Sequence, residues 1–113
     1  MKSTSLAALQ RQYHRLRHDL AQIGYLSQGS VLDRSTLRPA RSGYQWTRKR
    51  ARKTITVALS PEQFQALGQA IENGRKFRRT VGKMEKLSRQ IIFATTPDTQ
   101  RRKRLNKKVL GLI

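Results

Sequence analysis

Residues 44–63 read YQWTRKRARKTITVALSPEQ, and this stretch predicts a β-hairpin followed directly by a helix. Apolar and polar side chains alternate over residues 43–49 and again over 54–59, as they do in half-buried strands. A short connection around Ala51 and Arg52 separates the two segments. The alternation and the short connection together predict two antiparallel strands.

The alternation assigns the hairpin side chains to two faces, because successive residues of a strand point to opposite sides of a sheet. The expected buried face contains Tyr44, Trp46, Ile55, Val57 and Leu59. The expected open face contains Gln45, Thr47, Lys49, Thr54 and Thr56. The pattern leaves the pairing register undetermined, and a slip of one residue would exchange the faces of one strand.

The segment SPEQ at 60–63 is the clearest boundary in the chain. Ser60 is a preferred N-cap, Pro61 suits the first helical position, and Gln63 completes a capping box. Gly74 and Gly82 would each weaken the helix by about 1 kcal/mol relative to Ala, and they mark either close packing or a bend. The apolar positions of the predicted helix are Phe64, Leu67, Ile71, Phe77, Val81, Met84, Leu87 and Ile91.

A second amphipathic helix is predicted over residues 4–23, where apolar side chains recur at spacings of three and four. Ser3, Thr4 or Ser5 can cap its start, and Gly24 can end it. We expect this stripe to pack within the chain, with association of two copies as the alternative. The stripe consists of Leu6, Leu9, Tyr13, Leu16, Leu20 and Ile23.

These elements predict one small α+β domain over residues 1–95. Its N-terminal helix and long second helix would pack on one face of an antiparallel sheet of two or three strands. The third strand would come from Tyr25-Leu26 or Val31-Leu32, within an otherwise loop-like segment. The segment TTPD at 95–98 repeats the helix-start signal, so residues 96–113 are predicted to form a short basic helix or arm.

The charge of the chain points to a polyanionic partner. Lys and Arg number 25 against six acids, which gives a formal net charge of +19 on 113 residues. Nucleic acid is the commonest neutralising partner for such a protein, and a membrane surface or a merely soluble basic protein are the alternatives. No apolar run approaches the roughly 18 residues of a membrane span, and the N-terminal apolar run is too short for a signal peptide. We expect an intracellular protein.

Catalysis has little support in the sequence. The six acids include no pair at a useful spacing, and the chain has no cysteine, no phosphate-binding glycine loop and no Ser-His-Asp set. His14 and His18 lie four residues apart, but only Asp19 could join them, so a surface pair is a better interpretation than a metal site. We expect no catalytic residue, no metal and no cofactor.

The candidate nucleic-acid-binding residues lie in three basic blocks. Arginine dominates, which favours bidentate contacts with phosphate or guanine. The alternative for the helical block is a solvated face, and the tail block could equally be a disordered basic arm that contacts phosphates. The hairpin block, with its polar neighbours, contains Gln45, Thr47, Arg48, Lys49, Arg50, Arg52 and Lys53. The helical block contains Arg75, Lys76, Arg78, Arg79, Lys83 and Lys86. The tail block contains Arg101, Arg102, Lys103 and Arg104.

Trp46 has two interpretations. A lone Trp on a strand of a small domain is most often part of the core, because burying an aromatic side chain is a large gain for such a domain. The alternative is a platform on which an unpaired base stacks. In the first case the aromatic residues hold the hairpin in place so that its tip and open face present charge.

Six segments of the chain, within roughly residues 20–90, carry a resemblance to a known family. They are IGYLSQGSVLDRS at 23–35, YQWTRK at 44–49, KTIT at 53–56, LSPEQ at 59–63, IENGRK at 71–76 and MEKLS at 84–88. In order and spacing these segments resemble an uncharacterised family of small basic bacterial proteins that are often encoded near transposase genes. The chain departs from the family by carrying TLRPARSG at 36–43 in place of a cysteine cluster and an HGPY segment. It also has Arg52 where the family has a hairpin glycine. The resemblance implies an association with mobile elements.

We therefore expect a non-catalytic nucleic-acid-binding accessory protein of the bacterial cytoplasm, in a mobile-element or genome-defence complex and associated with the nucleoid or with a ribonucleoprotein. DNA is favoured over RNA, because a basic β-ribbon can enter the major groove of DNA. The first alternative is a subunit that binds structured or guide RNA in a ribonucleoprotein. The second is an adaptor whose first helix docks onto a transposase or nuclease.

Overall fold

The computed structural model describes residues 4–100 and 104–113 and has an α+β fold, as predicted. A helix is followed by three short strands and then by one long helix. Between the first two strands, residues Arg34–Thr36 form a single 3-10 turn. The elements are α1 Leu6–Ala21, β1 Ser30–Asp33, β2 Tyr44–Arg50, β3 Lys53–Leu59 and α2 Pro61–Thr95.

The three strands form an antiparallel sheet with the order β1-β2-β3. The β2–β3 register runs from Tyr44 opposite Leu59 to Arg50 opposite Lys53. This register places the predicted open-face and buried-face residues on separate faces of the sheet, so the predicted division is confirmed. Ala51 and Arg52 alone connect the strands, and both have positive φ angles, of 50° and 66°, as a two-residue type I′ turn requires.

The described chain divides into two compact units. The first, here called the sheet unit, is Ile23–Phe77 and contains the sheet and the N-terminal part of α2. The second, here called the helical unit, is the remainder and contains α1, the C-terminal part of α2 and the residues that follow it. The predicted boundary between a domain over 1–95 and a tail over 96–113 stays a prediction.

In the sheet unit, α2 covers the sheet face that carries Tyr44 and Val31. The Tyr44 ring packs against Phe64 with 4.4 Å between centroids. Gly68 faces Val31, and a Cβ at Gly68 would lie 3.5 Å from the Val31 Cγ2 atom. The helix residues Ala70 and Ile71 are buried, so this face forms the small core of the unit.

The segment before β1 is attached to α2 by two hydrogen bonds. The Ser27 backbone N–H donates to the Ala70 carbonyl at 3.0 Å, and the Asn73 side-chain amide donates to the Tyr25 carbonyl at 3.0 Å. This attachment keeps the backbone close to the helix while leaving the Tyr25 side chain 92% exposed. Of the two predicted positions for a third strand, the one at Val31-Leu32 is correct.

One expectation on the buried face needs correction. Val57 is 41% exposed, although its neighbour across the sheet is Trp46. The reason is that β3 is an edge strand, so Val57 has a strand neighbour on one side only. Leu59 and Ile55 are half-buried, as the alternation indicates.

Both helices begin as the sequence predicts. The Ser60 hydroxyl accepts from the Gln63 backbone N–H at 3.1 Å, and the Gln63 side chain accepts from the Ser60 backbone N–H at 2.9 Å. This reciprocal pair is the expected capping box. The Ser5 hydroxyl caps α1 by accepting from the Ala8 N–H at 3.2 Å.

In the helical unit, α1 lies alongside the C-terminal part of α2, and Leu9 and Leu87 are buried there. The described chain after Gln100 contains a turn over residues 107–111. The Asn106 side chain caps it by accepting from the Val109 N–H, and Gly111 ends it with a φ of +70°. Arg89 of α2 donates to the Gly111 carbonyl at 3.1 Å, so this turn is attached to the helix.

Candidate nucleic-acid interface

The β2–β3 hairpin extends beyond β1 as a two-stranded ribbon. The β1 pairing ends where Ser30 lies opposite Thr47. Residues 48–55, with the sequence RKRARKTI, therefore pair only with each other. The ribbon carries five of the eight cations that lie between residues 34 and 61, a range that contains no acid.

The tip of the ribbon concentrates exposed positive charge. Lys49, Arg50, Arg52 and Lys53 are all exposed. Arg50 and Lys53 lie directly opposite each other at the last pair before the turn. Like charges at such a cross-strand position destabilise a hairpin, so this pair costs folding free energy that an anion would recover.

The turn itself contradicts ordinary residue preferences. Type I′ turns favour Asn-Gly or Asp-Gly, because both central residues have positive φ. Here the two positions are occupied by Ala51 and Arg52, each of which costs on the order of 1 kcal/mol in a left-handed conformation. The tip therefore combines backbone strain with charge repulsion. Departures of this kind from local rules are typical of functional sites.

The open face of the sheet is polar along its central strand. Gln45, Thr47 and Lys49 follow one another there, and Arg34 reaches the same face because its Nε donates to the Gln45 Oε1 atom at 3.2 Å. Sequence reasoning missed Arg34. Its position depends on the 3-10 turn after β1, and the hydrogen bond to Gln45 spans eleven residues, so no local pattern indicates it.

The Asp33 carboxylate, next to Arg34 in the chain, makes local hydrogen bonds. The Asp33 carboxylate accepts from the Ser35 backbone N–H at 2.9 Å and caps the 3-10 turn. Hydrogen bonds from the backbone and side chain of Ser35 lower the pKa of Asp33 below its ordinary value. The charge of Asp33 therefore stabilises the turn that positions Arg34.

Arg48 occupies a different environment from the other hairpin cations. It shares the face of Trp46, and its guanidinium carbon lies 5.3 Å from the centroid of the Trp46 ring. Its Nε atom is buried and has no hydrogen-bond partner among the described atoms. Arg48 is thus half-buried at the base of the ribbon, whereas Lys49, on the opposite face, is exposed.

The surroundings of Trp46 favour the packing interpretation over the stacking platform. Its indole N–H donates to the Gln28 carbonyl at 2.8 Å, and the Arg48 guanidinium covers its ring. Gly29 approaches so closely that a Cβ there would lie 2.4 Å from the Thr47 carbonyl oxygen and 2.9 Å from the Trp46 Nε1 atom. With these contacts, Trp46 fixes the segment before β1 against the sheet.

The helical and tail blocks are divided between the two units and the residues outside the described ranges. Arg75 and Lys76 belong to the sheet unit, and Arg75 forms an ion pair with Glu72. Arg104 is exposed in the helical unit, and Arg101, Arg102 and Lys103 lie outside the described residues. The remaining predicted cations belong to the helical unit and are Arg78, Arg79, Lys83 and Lys86.

Two further observations concern other kinds of site. Within residues 4–100 and 104–113, no three His, Cys, Asp or Glu side chains are grouped so that they could hold a metal ion. None of the helices in the described part of the chain combines the length and the apolar character needed to cross a membrane.

Comparison with known proteins does not indicate a function. No family model, no curated protein and no solved structure matches this chain. The resemblance of residues 20–90 to a family of small basic bacterial proteins stays a prediction.

Proposed function

We propose that this protein binds nucleic acid through the ribbon of residues 48–55 and the open face of its sheet, and that double-stranded DNA is the favoured ligand. The observation that carries the proposal is the ribbon tip, where Arg50 lies opposite Lys53 across a turn whose two residues have positive φ. An anionic ligand would remove the repulsion between these cations on binding. The strain and the charge are then features of a binding site.

The dimensions of the ribbon favour DNA over RNA. The major groove of B-DNA is about 12 Å wide and admits a two-stranded β-ribbon. The strands of such a ribbon lie about 4.8 Å apart, so the ribbon and its side chains fit that width. The major groove of an RNA helix is deep and narrow, and side chains cannot read it.

The two kinds of residue at this surface would do different work. The exposed Arg50 and Arg52 side chains lie on an ordered element, from which a guanidinium can donate two hydrogen bonds to a guanine edge. Arg34 and Lys49 lie at the open face, where they would contact phosphates and position the ribbon. Gln45 is held by Arg34 and would act by orienting it.

We infer further that the DNA is bound in a mobile-element or genome-defence complex, with a transposase or nuclease as the catalytic partner. This inference rests on the resemblance and on the lack of a recognisable catalytic set in the sequence. RNA in a ribonucleoprotein is the alternative ligand, and the binding experiment distinguishes the two.

The test compares a ribbon variant with a charge-matched control. The ribbon variant carries Arg50→Ala, Arg52→Ala and Lys53→Ala, and the control variant carries Arg11→Ala, Arg17→Ala and Lys108→Ala. All six side chains are exposed, and both variants lose three charges. Fluorescence anisotropy would measure their binding to a DNA duplex, a DNA single strand and an RNA hairpin at several salt concentrations.

The ribbon variant should lose most of its preference for the duplex, because each lost bidentate contact removes about 1 to 3 kcal/mol of discrimination. The control variant should keep the preference and lose affinity for all three ligands to a similar extent. If the two variants behave alike, binding depends on net charge alone and the ribbon is not the reading element. If the RNA hairpin binds tighter than the duplex and the ribbon variant abolishes that preference, the ligand is RNA.

A further inference from the structure

The helical unit contains a groove that the proposed DNA-binding surface does not use. It lies between α1 and the C-terminal part of α2 and has a volume of about 350 Å³. Its apolar lining comes from Leu16 and Leu87, of which Leu87 is only 8% exposed. Three cations line it as well, namely Arg15, Lys83 and Lys86, and each of them is an exposed residue.

The charge of this groove is of one sign. The described residues that line it include three cations and two glutamines but no carboxylate. Lys83 and Lys86 lie three residues apart on α2, a spacing that places them on neighbouring positions of one helix face. Arg15 contributes the third charge from α1. An occupant that carries carboxylates or phosphates would therefore be attracted.

The leucine side chains decide which kind of anion fits. A nucleic-acid backbone offers phosphates and hydroxyl- or ether-bearing sugars, and it has no projecting hydrocarbon side chain to insert against Leu16 and Leu87. An amphipathic helix offers both parts, because apolar side chains at positions i, i+3 and i+4 can enter a groove while acidic residues flank them. The mixture of leucine and cations in one groove thus favours a protein helix.

A second copy of this chain does not fit the groove. Each copy carries a formal net charge of +19, and α1 contains one acid, Asp19, among its sixteen residues. Two copies would bring cations against cations.

We propose that this groove binds an acidic amphipathic helix of a partner protein, with leucine-like side chains against Leu16 and Leu87 and carboxylates against Arg15, Lys83 and Lys86. The volume lies within the range of about 300 to 1,000 Å³ that is usual for binding pockets and accommodates a few such side chains. The site is separate from the ribbon of residues 48–55, so the protein could join a partner to a nucleic acid.

The experiment uses two synthetic peptides of identical composition and charge. In the first, leucines recur at i, i+3, i+4 and i+7 with glutamates at the flanking positions, and in the second the same leucines and glutamates are scrambled so that no stripe forms. Binding to the full-length protein is measured by fluorescence anisotropy at raised salt, which screens non-specific attraction between exposed charges. The striped peptide should bind about tenfold tighter or more, because only it can bury its leucines.

Charge-reversal variants place the binding on the groove. Arg15→Glu should reduce the affinity for the striped peptide to that for the scrambled one. Arg17→Glu is the matched control, since Arg17 is exposed on the same helix, does not line the groove, and lies two positions away, toward the other side of α1. Lys86→Glu and its control Arg78→Glu repeat the comparison on α2, since Arg78 is exposed, does not line the groove and lies toward the other side of that helix. Circular dichroism would show that each variant is folded, and the second pair decides the test if Arg15→Glu unfolds the protein.

Three results would overturn the proposal. The two peptides could bind equally well, or each variant could weaken binding no more than its control does, and either result would mean that the attraction is general. The third is that Arg15→Glu and Lys86→Glu weaken binding of a DNA duplex more than their controls do while the peptides bind alike. That result would assign the groove to nucleic acid.

Discussion

The guanidinium of Arg48 lies over the indole ring of Trp46, 5.3 Å from its centroid, at the position where the three-stranded sheet becomes a two-stranded ribbon. Trp46 pairs with Val31 on one side and with Val57 on the other, so its side chain lies at the middle of the sheet. Arg48 is two residues further, on the same face and past the end of β1. This contact therefore anchors the base of the ribbon to the three-stranded part of the sheet.

The first prediction is that Trp46 stabilises the fold and does not bind single strands directly. Trp46→Ala should lower the free energy of unfolding by about 2 to 4 kcal/mol, slightly less than for a fully buried aromatic residue. Trp46→Phe should cost about 1 kcal/mol, because the Gln28 carbonyl loses its 2.8 Å donor. Urea unfolding followed by circular dichroism measures both values.

The alternative, in which an unpaired base stacks on Trp46, predicts the opposite results. If Trp46 is a platform for an unpaired base, Trp46→Ala would keep its unfolding midpoint and lose affinity for single-stranded DNA. The same variant should then bind a duplex normally.

The second prediction concerns the strained turn. Arg52→Gly and Ala51→Gly should each stabilise the protein, by roughly 0.5 to 1 kcal/mol, because glycine adopts positive φ without a steric cost. Arg52→Gly alone should weaken duplex binding and lower the preference for a duplex over a single strand, as loss of a contact to a base edge does. Ala51→Gly is the control that relieves strain at the same turn and keeps the charge.

Thermal unfolding measures the change in stability, and fluorescence anisotropy with a duplex and a single strand measures the change in binding. Arg52 would have no role in binding if both variants kept the affinity and the duplex preference of the unsubstituted protein. A loss of stability in both variants would contradict the assignment of strain to this turn.

The sequence predicts the strands and helix starts well, and it does so for physical reasons. Alternation places Gln45 and Thr47 on one face of the sheet for any type of turn. The hydrogen bonds of the capping box at Ser60 join residues only three positions apart. Such short-range features are readable from the chain. The predicted division of residues between the two faces of the sheet also holds, because the two-residue turn pairs each residue with one that the alternation assigns to the same face.

Features that depend on distant residues could not be read in the same way. The sequence leaves the turn type undetermined, because Ala51 and Arg52 are not residues that type I′ turns favour. Their positive φ angles follow from the strand pairing. The exposure of Val57 depends on the strand order. The position of Arg34 depends on a hydrogen bond to Gln45, and that bond depends on the conformation of the loop between them.

The third prediction compares two glycines with opposite requirements. Gly29 has a φ of +97°, and a Cβ there would lie 2.4 Å from the Thr47 carbonyl oxygen. Gly29→Ala should therefore destabilise the protein by about 2 kcal/mol or more, through both strain and collision. Gly82 lies inside α2, and a Cβ there would meet no described atom within 4 Å beyond the backbone of its own helix. Gly82→Ala should therefore stabilise the protein by about 0.5 to 1 kcal/mol.

Chemical denaturation of the two variants and of the unsubstituted protein measures both changes in the free energy of unfolding. The fold of the Gln28–Ser30 segment described above would be wrong if Gly29→Ala were neutral. A destabilising Gly82→Ala would indicate that this part of α2 is packed against residues outside the described ranges.

The fourth prediction separates the tail from the ribbon. Removing residues 101–113 takes away six cations, and the expected result is weaker binding to every nucleic acid by a similar factor. Each phosphate contact contributes about 0.9 to the slope of log affinity against log salt for duplex DNA, so the truncated protein should show a smaller slope. The preference for a duplex over a single strand should remain, because a guanidinium on the ribbon has a fixed geometry.

A competition assay with mixed duplex, single-stranded DNA and RNA measures affinity and preference together. The truncation also removes the Gly111 carbonyl that accepts from Arg89, so its unfolding free energy is measured first and the assay is run below its midpoint. If the truncated protein loses the duplex preference while the ribbon variant of residues 50, 52 and 53 keeps it, the reading element lies in the tail and the assignment to the ribbon is wrong.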